Sequence, residues 1–159
     1  MNKILVAIED SEGSLRAVDF TGEYFSRLPD VQVTLFHVLQ NMPAEFWDDG
    51  HFLSDEERRK REEVVEKWIA NRRAIIEPFF QKAVKLLVEK GMKSDRIMTK
   101  AVSITDDPAD GILSEAADGS HHVLVLARHR YSKAKRVFMG SVTGRVVDRA
   151  AGITVCVVE

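Results

Sequence analysis

Val123-Leu124-Val125-Leu126-Ala127, a basic loop, and then Gly140-Ser141-Val142-Thr143 form the stretch on which the fold turns. A short, unbroken apolar run is what a strand covered on both faces of a parallel sheet requires. The loop after Ala127 carries Arg128, His129, Arg130, Lys133, Lys135 and Arg136, with no acidic residue among them. It closes on Gly140, whose missing side chain lets a ligand approach the backbone. Ser141 and Val142 then open a helix whose free N–H groups and dipole favour an anion. Parallel α/β sheets hold their ligands in such strand-to-helix passages, outside the carboxyl ends of the strands. The stretch therefore points to anion binding, phosphate above all, more clearly than to catalysis.

Outward from this stretch the same alternation repeats. Ile4 to Ile8 is a second continuous apolar run, ended by Glu9-Asp10-Ser11-Glu12-Gly13, where Asp10 or Ser11 can cap a helix. That helix buries Leu15, Val18, Phe25 and Leu28 and is closed by Pro29. Val31 to Leu39 is the next strand. Residues 40–53 form a long connection with Phe46, Trp47 and Phe52, a lid, a partner surface or a mobile segment. Ser54-Asp55-Glu56-Glu57 starts a long helix that runs to Lys90 and stops at Gly91.

An apolar stripe from Val64 and Val65 through Trp68, Ile75, Phe79 and Ala83 to Leu87 keeps its phase across Pro78, which predicts a kink there. Ile97 to Val102 reads as an edge strand, and Thr105-Asp106-Asp107-Pro108 opens the helix that turns Ile112, Leu113 and Ala116 inward. The helix from Ser141 buries Val142, Val146 and Val147 before a last strand, Ile153 to Val158. Five strands alternating with four helices call for a parallel sheet with helices on both faces, connected right-handedly.

Composition narrows the function classes. A chain of 159 residues fits one domain, 1–159, large enough for a real core. A net charge of −2 speaks against a general binder of nucleic acid or membrane surfaces. The single cysteine, Cys156, sits in an apolar run and cannot form a disulfide within the chain, which fits a reducing, cytoplasmic setting. No apolar run reaches the length of a membrane span.

The five histidines share no metal-ligand spacing, and His37 reads as a satisfied core residue. Ser141 lacks the Gly-x-Ser-x-Gly context of a nucleophile elbow, and no Walker lysine motif is present. No catalytic set emerges, and no metal site.

With the element order laid out, the chain resembles the universal stress protein family over essentially its full length. The resemblance rests on Lys3-Ile4-Leu5-Val6-Ala7-Ile8 with Glu9 where the family has Asp, on Ser11-Glu12, on His37-Val38, on Asp107-Pro108-Ala109-Asp110-Gly111-Ile112-Leu113, and on Gly140-Ser141-Val142-Thr143. It implies a Rossmann-like sheet of the adenine nucleotide alpha-hydrolase type, with strand order 3-2-1-4-5. It also implies a ligand crevice between strands 1 and 4. By the same resemblance, adenine and ribose of ATP or AMP would lie against Ala7, Ile8, Glu9 and Val38, with Leu126 lining the pocket. The phosphates would meet Ala127, Arg130, Gly140, Ser141, Val142 and Thr143.

ATP-binding members carry Gly-x-x-Gly and, after nine intervening residues, Gly followed by Ser or Thr; here the spacing is kept, but Ala127 and Arg130 replace the first two glycines. An arginine there either blocks the phosphate or binds it bidentately. Two readings follow, and the sequence leans to the first. In one, a dimeric stress-response protein acts through protein contacts with degenerate or weak nucleotide binding, as the lost glycines favour. In the other, the crevice binds ATP or AMP without efficient turnover, as the retained Gly140-Ser141 favours. A slow ATPase is a third option lacking an evident base. In the family the last strands of two subunits pair, which makes 153–158 the expected homodimer edge, with neither nucleic acid nor membrane as partner.

Overall fold

The computed structural model describes residues 2–39, 52–103, 107–128 and 141–159. Along the chain these form β1 (Asn2–Ala7), α1 (Glu12–Phe25), β2 (Val31–Leu39), α2 (Asp55–Glu89), β3 (Ile97–Ser103), α3 (Pro108–Asp118), β4 (Val123–Ala127), α4 (Ser141–Arg149) and β5 (Thr154–Val158). All strand pairs are parallel, and the sheet order is β3-β2-β1-β4-β5. This is the order that the resemblance implies. The aromatic connection around Phe46 and Trp47, and Thr105 and Asp106, fall outside the described residues.

Strand parity divides the core into two layers. Ile4, Val6, Val33, Leu35 and Val125 point to one face, where Ala17 and Val18 of α1 and Ile76, Phe80, Ala83 and Leu87 of α2 cover them. Leu5, Phe36, Val38, Leu124 and Leu126 point to the other, under Ala109, Ile112 and Ala116 of α3 and Val146 of α4. Burial on both sides is why β1 and β4 read as unbroken apolar runs.

Several elements differ from expectation in instructive ways. α1 ends at Phe25, short of Pro29, and Leu28 is left exposed. α2 passes through Pro78 undivided, as the unbroken phase of its stripe implied. Its buried residues begin only at Ile76, so the earlier part of the expected stripe does not join the core. The cause is length: 35 residues of helix at about 1.5 Å each outrun a sheet whose longest strand spans roughly 30 Å. β3 is an edge strand, as its sparse apolar pattern implied.

His37 is half-buried, with Nδ1 2.8 Å from the Ile8 carbonyl. His121 is buried, its ring nitrogens each 3.2 Å from the Thr34 hydroxyl and the Glu115 carbonyl. Burial pushes its pKa down. Burial likewise pushes the Cys156 thiol up, away from reactivity.

Candidate functional site

The carboxyl ends of β1 and β4 lie side by side, Ala7 opposite Leu126, at the point where the strand order reverses. Open α/β sheets form their ligand crevice at such a reversal. Beyond Ala7 the chain stays on the sheet for one more residue: the Ile8 N–H donates to the Phe36 carbonyl at 2.8 Å. It then turns sharply into α1. The Glu9 N–H donates to the Ser14 hydroxyl at 2.9 Å, and the Ser14 N–H donates to the Ser11 hydroxyl at 3.1 Å. Ser11, not Asp10, is therefore the cap. Ser14 is fully buried and ties the end of β1 to the first turn of α1.

β4 is held from two sides. On one, α1 packs against it at Gly13: a β-carbon there would lie in ordinary van der Waals contact, 3.4 Å from the Ala127 methyl. On the other, Thr143 in the first turn of α4 is buried and donates its hydroxyl to the Ala127 carbonyl at 3.1 Å. The N-termini of two helices thus converge on the ends of β1 and β4. The Arg128 N–H continues the sheet by donating to the Val158 carbonyl at 2.7 Å, and its guanidinium pairs with Glu159.

A second fastening lies beside α4. Asp107 accepts the Ala109 N–H at 3.0 Å as the cap of α3, and its carboxylate also accepts from Arg145 Nη2 at 2.9 Å and Arg149 Nη2 at 3.1 Å. Arg145 chiefly, with the Ala109 N–H and Arg149, holds the Asp107 carboxyl below its usual range. This clamp locks α3 to α4, and with it the direction in which α4 points its free N–H groups.

Of the expected site residues, Ala7, Ile8, Glu9, Leu126, Ala127, Ser141, Val142 and Thr143 come from the elements that meet at the crevice; Val38 lies one strand further out. Ile8, Val38 and Leu126 bury their side chains in the two core layers, so they form the floor. Val142 is only partly covered. Arg130 and Gly140 are outside the described residues. Ser14, Gly13 and the Asp107–Arg145 pair were not singled out from sequence. Ser14 was the findable one, since a serine three residues after a serine cap suits a capping turn.

Among the described residues no group of three or more His, Cys, Asp or Glu is placed to hold a metal ion, and no helix is long and apolar enough to cross a membrane.

A five-stranded parallel sheet in the order 3-2-1-4-5, with helices on both faces, defines an α/β protein of the Rossmann-like kind. The model of the universal stress protein family matches residues 1–158, and the chain belongs to that family. A search of curated proteins gives no match.

Among solved structures, a universal stress protein from Archaeoglobus fulgidus is similar at 19% identity, covering 100% of this chain and 94% of that one, with a TM-score of 0.64. The Archaeoglobus fulgidus universal stress protein in complex with dAMP has 19% identity, coverage of 100% and 98%, and a TM-score of 0.59. A universal stress protein family member from Arabidopsis thaliana with AMP bound has 20% identity, coverage of 99% and 90%, and a TM-score of 0.55. At these identities the likeness establishes the fold.

Proposed function

We propose that this chain is a dimeric stress-response protein whose β1–β4 crevice takes an adenine mononucleotide, without turnover. The phosphate meets the first turn of α4 at Ser141, Val142 and Thr143, and the base and ribose rest against Ala7, Ile8, Glu9, Val38 and Leu126. The observation that carries this reading is the direction of the Ala127 methyl. It packs toward Gly13 of α1, on the face opposite α4. The methyl of the alanine that replaces a phosphate-loop glycine therefore points away from α4. Solved relatives of the same fold with dAMP and AMP add support.

Arg130 in place of the second glycine favours the other reading, a nucleotide-free protein of this fold acting through surfaces. Native mass spectrometry of freshly purified protein separates the two. The proposal expects an adenine nucleotide to co-purify or to bind on addition of AMP; a bare chain at millimolar AMP contradicts it. Association through β5, an edge strand whose Val157 is exposed, completes the proposal.

A further inference from the structure

The first half of α2 does nothing for the core. From Asp55 to Ile75, among the described residues, no side chain is buried, and α2 enters the core only at Ile76. This segment runs about 30 Å at 1.5 Å per residue. It is a well-formed helix: Ser54 and Glu57 make a reciprocal capping box, with the Ser54 N–H donating to Glu57 at 2.8 Å and the Glu57 N–H to Ser54 at 3.3 Å. Yet it carries apolar residues at helical spacing, Val64, Val65, Trp68, Ile69 and Ile75, with Val64 47% and Ile75 63% exposed. Trp68 presents its ring with the Arg72 guanidinium 5.5 Å from its centre. A helix that is stable, projecting and apolar along one stripe is shaped to lie against another helix.

The charge pattern selects the partner. The first turn holds Asp55, Glu56 and Glu57, and the base of the segment holds Arg72, over Trp68, and Arg73, whose Nη2 donates to the Ala101 carbonyl of β3 at 3.2 Å. Two parallel copies would set acid against acid and arginine against arginine. Two antiparallel copies, related by a two-fold axis between Val64 and Val65, set each acidic turn against the other copy's arginine pair. The same axis brings the valines together and Arg61 over Trp68. A two-fold contact is self-complementary by construction.

We propose that residues 55–75 of α2 pair antiparallel with the same segment of a second copy of this chain. This contact is separate from the β5 edge and joins chains, or β5-paired dimers, into a higher assembly. It buries one helix face only, so it is a weak, concentration-dependent association.

Charge reversal in trans tests it. In a Val157→Lys background that removes the β5 contact, D55K, which spares the capping box, and R72E/R73E each set like charges together. Sedimentation should show association weakened at least tenfold for each alone and restored when the two variants are mixed, because only the mixture is complementary at both ends. A role within one chain gains nothing from mixing. In parallel, Val64→Cys in a Cys156→Ser background should cross-link to a second copy through a short bismaleimide, whereas Lys82→Cys, at about 27 Å along the helix from the axis, should not. Unchanged sedimentation of the reversed variants, or no cross-link at position 64, overturns the proposal. So does cross-linking that is equal at 64 and 82.

Discussion

Ala127 sits on the strand face of Val123 and Val125, and one methyl group there determines which side of the sheet is crowded. Because it meets Gly13 rather than α4, Ala127→Gly should leave nucleotide affinity within about threefold. It should lower stability by about 0.5–1 kcal/mol, the usual cost of glycine in a strand or helix interior; urea unfolding alongside calorimetry with AMP checks both. Asp107 makes a different prediction. Its pKa is depressed in the folded protein, so its contribution is complete above the unfolded carboxyl's pKa and disappears as pH falls below about 4. Asp107→Asn should cost about 1 kcal/mol at pH 7, after discounting for its partly exposed arginine partners. The difference from the parent should shrink through the acid limb of a pH–urea series. Neither contact was legible in the sequence. The parity that turns Ala127 away from α4 follows from Val125 two residues earlier, but its meeting with Gly13 depends on how α1 crosses β4. Asp107 and Arg145 are joined only by the packing of α3 on α4.

At the scale of elements, the strands were legible because burial on both faces leaves no polar position to blur them, as Leu124, Val125 and Leu126 show. The caps were nearly so: Ser11, Ser54 and Asp107 all accept the N–H bonds that their positions imply. Helix α2 was legible as a helix but not in its role. Periodicity reports a stripe without reporting what lies opposite it, and Val64 to Ile75 extends past the sheet that buries Ile76 to Leu87. Pro78 lies on the exposed side of this helix, in a turn that lacks one backbone donor. Pro78→Ala should therefore stabilise the protein by about 1–3 kcal/mol, read as a higher urea midpoint at unchanged slope. An unchanged or lower midpoint would mean that the helix exploits the missing bond.

For the whole molecule, the sheet order sets both the crevice and the edges. Placing β1 beside β4 brings two helix N-termini to one mouth, and it leaves β3 and β5 as the outer strands. β5 is short and presents Val157 outward, a strand edge that ordinarily is covered. For the proposed β5 dimer, Val157→Lys should shift sedimentation toward monomer at micromolar concentration while leaving AMP affinity within about twofold, since the proposed site lies at the other strand pair. The reversal between β1 and β4 follows from the strand order 3-2-1-4-5 that the family resemblance implied. The direction of Arg130 is not legible in the sequence, and residue 130 lies outside the described residues. The most direct test of the nucleotide-binding claim is isothermal titration calorimetry of the full chain with AMP and with ATP. The account predicts saturable, one-to-one binding of AMP per chain, weakened when Thr143→Val removes the bond that positions α4 on Ala127. No measurable heat with either nucleotide at millimolar concentration, from protein shown to be free of bound nucleotide, would contradict it.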